Sequence, residues 1–154
     1  MAIDPQQQRI MGYFIEEARE HLETILHGLN NFAVTIADPE AIHELYRAAH
    51  SIKGGAAMLG VESVRLIAYY LEDYFKKIKE CPDLKIDQKL VDLFLEAYAY
   101  LPQLLKQLEQ NFAVSQAMSE AAIEASTITF EKLGAHFEAL LKVESATAES
   151  TSTI

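Results

Sequence analysis

The residues of this chain best placed to do chemistry lie in Ala49-His50-Ser51-Ile52-Lys53-Gly54-Gly55-Ala56. Helical winding of about 100° per residue sets His50 opposite an apolar arc of Ile42, Leu45, Ala49, Ile52, Ala56 and Leu59, turning the imidazole to solvent. Lys53 and Gly54 then fall about 60° and 40° to either side, with His43, Tyr46, Arg47 and Ala57 on the same outward face. An exposed imidazole titrates near pH 6.5, so at neutral pH one ring nitrogen keeps a lone pair and can act as a nucleophile. A lysine one turn away suits the anionic oxygens of a phosphoryl group. Two glycines inside a helix cost roughly 1 kcal/mol each relative to alanine, so something other than helix stability accounts for them. At Gly54 the simplest reading is that a second molecule comes close to the ring. The alternatives are packing against another helix, or a helix that ends there.

The stretch His50-Ser51-Ile52-Lys53-Gly54-Gly55-Ala56, preceded by Tyr46-Arg47-Ala48-Ala49 and followed by Leu59-Gly60-Val61, resembles the phosphorylatable-histidine motif of histidine phosphotransfer (HPt) domains. Within that family it is most similar to the amino-terminal domain of CheA-type chemotaxis histidine kinases. The resemblance covers Phe14 to Glu80 by motif, including Phe14-Ile15-Glu16-Glu17-Ala18 in the opening helix, and the remainder by helix pattern only. It implies that His50 is the phosphoacceptor. It also implies that Glu72, twenty-two residues on, hydrogen-bonds and orients the imidazole; the alternative is an ordinary glutamate in solvent. Tyr69, one turn earlier, occupies a position that such domains fill differently, and its role is left open.

In this reading the carboxylate of Glu72 holds the proton on one ring nitrogen and stabilises positive charge on the ring as the other attacks phosphorus. Lys53 attracts the phosphoryl oxygens, Gly54 leaves steric room, and Tyr46, Arg47, Ala57 and Met58 flank the site as a docking face. The resemblance implies two partners: an ATP-binding histidine kinase domain that donates the phosphoryl group, and a response-regulator receiver domain that takes it onto an aspartate. No G-x-x-x-x-G-K-[ST] loop occurs, so the chain is expected to bind no cofactor and to be a substrate and carrier, with ATP used by the kinase.

Two other classes compete. A metal-carboxylate enzyme on a helical bundle needs two Glu-x-x-His motifs and two further glutamates; only Glu40-Ala41-Ile42-His43 has that spacing, so no metal site is expected. A purely structural helical interaction module would accept no phosphate. His21 and His27 read as surface or boundary residues.

The 154 residues, half of them apolar, suffice for one domain with a substantial core. Thirteen basic against twenty-three acidic residues give a formal charge of −10, which argues against a general nucleic-acid surface. The single cysteine, Cys81, has no internal disulfide partner and favours a reducing compartment, hence the cytoplasm. No apolar run is long enough to span a bilayer, and Met1-Ala2-Ile3-Asp4-Pro5 lacks the features of a secretory signal. The domain is expected to be monomeric.

The elements that must position these residues are all helical. Apolar residues Ile10, Phe14, Leu22, Ile25, Leu29 and Phe32 recur at helical spacing from Gln7 to Ile36. Asp38-Pro39-Glu40 starts a second helix that ends at Gly60, and Val61-Glu62 begins a third at once, so these two should be antiparallel neighbours. The third buries Val64, Ile67, Leu71, Phe75 and Ile78, carries Glu72 at the edge of that stripe, and stops at Cys81-Pro82-Asp83. A fourth runs from Asp87 through Leu90, Leu93, Phe94, Ala97, Leu101, Leu104, Leu105 and Leu108, with Pro102 producing a kink or a short break. A fifth spans Ser115 to Val143, its apolar positions being Ile128, Leu133, Phe137, Leu140 and Leu141. The expected fold is an all-α antiparallel four-helix bundle of the HPt type with an additional C-terminal helix. The domain would occupy residues 1–143, and residues 144–154 would be a disordered linker toward further domains.

Overall fold

Helix α3 (Pro39–Leu59) carries the candidate residues, and local chemistry explains both of its ends. The Asp38 carboxylate accepts the Glu40 N–H at 3.0 Å, and Pro39 presets the first turn. Gly60 closes the helix in the left-handed conformation at φ 72°, and the Val61 N–H returns to the Ala56 carbonyl at 2.9 Å. The chain therefore reverses within two residues into α4 (Glu62–Lys79). The pairing of α3 with α4 is the most extensive in the molecule, and it is antiparallel, with His43 meeting Lys79 and His50 meeting Glu72.

The structure, a computed structural model, describes the backbone of residues 4–152 and the side chains of residues 4–146. Helix α1 (Pro5–Asn30), capped by Asp4, and the short α2 (Phe32–Ala37) lie against α3. Helices α5 (Gln88–Tyr98) and α6 (Tyr100–Asn111) complete the bundle, and α7 (Gln116–Ser152) packs on α4 and α5. All seven belong to one apolar core. At its centre the fully buried rings of Phe75 and Phe94 stack 5.3 Å apart at 12°; burying a ring of this kind stabilises the fold by about 1.5–3 kcal/mol. Beneath α7, Phe130 lies 5.0 Å from Tyr70 and 6.2 Å from Tyr74, and Tyr74 also meets Phe137.

The all-helical bundle with an added C-terminal helix is the expected fold. The expected break near Pro102 falls at Ala99, three residues earlier, because the proline ring opposes the carbonyl of Tyr98 and removes one helical hydrogen bond. Three features depart from expectation. The first expected helix is broken at Asn31, because the Thr35 hydroxyl donates to the Gly28 carbonyl at 2.9 Å and stands in for the continuing helix. Two apolar residues assigned to buried stripes are exposed, Ile10 at 45% and Ile128 at 51%. Met11 takes the place of the first. Around the second, the buried side is built from Ser126, Thr129 and Phe130, the two hydroxyls being satisfied by the Ile123 and Ala125 carbonyls. Finally, α7 does not end at Val143: the segment from Glu144, expected as a disordered linker, continues as helix to Ser152, since Ala146, Ala148 and Glu149 favour helix and no glycine or proline interrupts them. Residues 153–154 of that segment lie outside the described residues. No helix among the described residues is long and apolar enough to cross a membrane.

Candidate functional site

His50 stands on the outer face of α3 with its side chain 59% exposed, while Ala49 and Ile52 beside it are buried in the core. Burial of its two neighbours fixes the rotation of the helix, so the imidazole cannot turn inward without expelling them. The Nδ1 atom lies 3.3 Å from Oε2 of Glu72, on α4. Glu72 is only 13% exposed, held at the edge of the stripe that buries Leu71 and Phe75. An ionised carboxylate only accepts, so a neutral ring that bonds to it does so through a proton on Nδ1, which leaves the lone pair on Nε2, pointing away from Glu72.

Lys53 reaches the same oxygen, its Nζ 2.8 Å from Glu72 Oε2. That oxygen is buried, and neither contact has hydrogen-bond alignment, so the lysine is held to it by charge while the imidazole lies beside both. Tyr69, whose role the sequence leaves open, flanks the lysine: Nζ lies 5.9 Å from the centre of its ring, within cation–π range. Lys53 therefore rests between a carboxylate and an aromatic face beside His50.

The paired glycines divide two of the three explanations offered for them, and the third fails because α3 continues to Leu59. A Cβ built on Gly54 meets nothing within 4 Å, so the space beside the imidazole is open. One built on Gly55 would lie 2.6 Å from the Phe14 ring, so that glycine is there for helix packing. Of the expected docking residues, Arg47, Ala57 and Met58 are exposed, Met58 by 87%, and Arg47 approaches Glu44 at 3.8 Å. Tyr46 is half-buried and stacks with His50, the ring centroids 6.1 Å apart and the planes 19° from parallel.

Two histidine contacts go beyond anything the sequence predicts. His43 also stacks with Tyr46, the centroids 5.7 Å apart, and its Nδ1 lies 2.8 Å from Lys79 Nζ. His136 on α7 places Nε2 at 2.7 and 2.8 Å from the two oxygens of Asp87, the residue that caps α5. Both join residues far apart in sequence, 36 and 49 positions, and no local spacing signals them. His21 is half-buried and His27 exposed, as expected. Burial raises the Cys81 thiol, with Glu144 and Glu80 adding to the effect, so it is no rival nucleophile. Among the described residues no group of three or more His, Cys, Asp or Glu side chains could hold a metal ion, and the ammonium of Lys79 beside His43 opposes a cation there.

Comparison with known proteins places the chain in a family and supports its fold. The sequence profile of the Hpt domain matches residues 9–111. The chain is 26% identical over 141 residues to the chemotaxis protein CheA of Bacillus subtilis (strain 168), covering 92% of this chain and 20% of that protein. It is 30% identical over 120 residues to CheA of Klebsiella aerogenes, covering 73% and 18%. The chain thus spans about a fifth of the length of these relatives. Among solved structures, the phosphorylated P1 domain of CheA3 in complex with CheY6 from R. sphaeroides superposes with a TM-score of 0.66 at 20% identity, covering 82% of this chain and 98% of that one.

Proposed function

The chain belongs to the Hpt domain family, and from that premise we propose that His50 receives a phosphoryl group from the ATP-binding domain of a histidine kinase and passes it to an aspartate of a receiver domain. The lone pair of His50 Nε2 attacks the γ-phosphorus of ATP held by the kinase domain. The N–P bond forms as the bond to the bridging oxygen breaks, and ADP leaves with that electron pair. Nδ1 keeps its proton throughout, and the positive charge on the ring is balanced by the Glu72 carboxylate. In the second step a carboxylate oxygen of the receiver attacks the same phosphorus, and the N–P electron pair returns to Nε2.

Lys53 stands beside the ring, able to move from Glu72 to the phosphoryl oxygens as these arrive. Gly54 leaves the approach open, and Tyr46, Arg47, Ala57 and Met58 form the rim that a receiver covers. The relatives support a parent of the chemotaxis kinase type, in which this domain serves as internal substrate, binds no nucleotide of its own and works in the cytoplasm. The CheA3 domain solved with CheY6 supports a receiver as the second partner.

The observation that carries the reading is the pairing of Nδ1 with a nearly buried carboxylate while open space lies beside the ring. The test is incubation with a CheA-type kinase and labelled ATP. Acid-labile label is expected on the wild type and none on His50→Gln; label that persists on the variant overturns the assignment.

A further inference from the structure

Tyr46 does more than border the docking rim. Its ring lies between His43 and His50 in one continuous stack, 19° from parallel with each and 5.7 and 6.1 Å from them. The far end is closed by Lys79, whose ammonium donates to His43 Nδ1 at 2.8 Å and lies 5.8 Å from the Tyr46 ring centre. Tyr46 is half-buried and packs against the core, so it cannot swing away as a solvent-exposed ring would. His50 itself is more than half exposed, and its polar anchor is Glu72, met at 3.3 Å without hydrogen-bond alignment. One such contact leaves the ring free to tilt; a second surface is needed to define its plane.

We infer that Tyr46 is a positioning residue: resting on Lys79 and His43 at its back, it holds the imidazole plane so that Nδ1 stays on Glu72 and Nε2 faces the incoming phosphorus. The inference rests on the phosphotransfer reading for its kinetic consequence, but its structural part does not require that reading. Stacking at these distances needs a flat ring and not a hydroxyl. Phenylalanine should therefore replace tyrosine, and leucine, which fills similar space without a face, should not. His43 acts at one remove, so its loss should give the same effect in weaker form.

The experiment uses the isolated domain with histidine ring nitrogens labelled. In the wild type and in Tyr46→Phe, the nitrogen shifts of His50 at neutral pH should report one dominant tautomer, with the proton on Nδ1. Tyr46→Leu should shift the ring toward a mixture, and His43→Ala should do so in part. With kinase and ATP, Tyr46→Leu should lower kcat for phosphorylation by about threefold to tenfold with KM little changed, the range set by one aromatic contact. If leucine leaves the tautomer intact and raises KM alone, Tyr46 is a docking residue only and the inference falls. If Tyr46→Leu does not fold, His43→Ala decides, and an unaltered His50 tautomer there overturns the proposal. Absence of label on the wild type would instead count against the phosphotransfer reading, while the nitrogen spectra would still decide the stack independently.

Discussion

His43 and His50 lie two turns apart on one face of α3, with Tyr46 between them, and their surroundings are opposite in sign. His50 meets the carboxylate of Glu72, whereas His43 meets the ammonium of Lys79. A carboxylate cannot donate, so it takes the proton side of a neutral ring and leaves the distal nitrogen with its lone pair. An ammonium cannot accept, so it takes the lone-pair side, and the proton of His43 is displaced to Nε2, the nitrogen that would have to attack. Residue type does not separate these two histidines, and exposure does so only by degree, His43 being half-buried and His50 exposed. What separates them is the charge that α4 places behind each ring, Glu72 near its middle and Lys79 at its end. His136 also has a carboxylate, in Asp87, but its side chain is only 15% exposed and the ring bridges α7 to the start of α5, which closes it to a visiting protein.

The largest test of this contrast exchanges the histidines separately. His50→Gln should abolish acid-labile phosphorylation and His43→Gln should retain it; loss of label in the second variant would erase the distinction drawn between them. Next, Glu72→Lys gives His50 the surroundings of His43. Transfer should fall by about a hundredfold, and by about tenfold in Glu72→Gln, which still accepts a hydrogen bond, in line with the usual effect of removing a histidine's orienting partner. Initial rates of phosphorylation measure both, and equal rates for the two would show that charge is not the deciding property.

The adjacent glycines provide a smaller test. Gly54→Leu should slow receiver-dependent dephosphorylation while leaving the melting temperature at or above its original value, because its Cβ enters open space. Gly55→Leu should instead destabilise the domain, by about 1–3 kcal/mol or more, because the Phe14 ring must move. Thermal melts read alongside transfer rates separate the two. The smallest effect concerns the third histidine. Burial alone would raise the Asp87 carboxyl, but the hydrogen bonds from His136 and from the Leu90 N–H outweigh it and leave the group below its ordinary range. A carboxyl lowered on folding adds stability above its unfolded pKa of about 3.9 and loses it as pH falls through the folded value. His136→Ala should therefore flatten the acid limb of the stability curve below about pH 4 by at most about 1 kcal/mol, as Asp87 is nearly half exposed. Denaturant melts from pH 3 to 6 give the measurement, and an unchanged acid limb would show that the pair is inert.

Much of this arrangement is legible in the order of residues alone. The ends of α3 are written in Asp38, Pro39 and Gly60, and the short turn at Gly60 obliges α4 to run back beside it; that Glu72 in particular faces His50 is implied by the family resemblance and not by the turn. The break near Pro102 is likewise expected, and its position at Ala99 follows from the carbonyl that the ring displaces. The break at Asn31 is not, because Phe32 and Ile36 continue the buried side as though nothing had changed and the cause is a threonine hydroxyl. Ile128 misleads for a similar reason: Ser126 and Thr129 are buried there by bonding to their own helix, which an apolar pattern does not register. Lys79 with His43 and Asp87 with His136 depend on how far one helix has slid along another, a quantity that no single helix encodes.

The Phe14 ring seated in the gap left by Gly55 has a mechanical consequence. A relay station must yield on the side where visitors arrive and be unyielding on the side that bears the thrust of their docking. Here the gap at one residue is open and the gap at the next is filled by a wedge from α1, the two directions about 100° apart around the helix. That wedge ties α3 to α1 one residue beyond the open gap, so the helix is braced at the very place where two glycines would otherwise have weakened it.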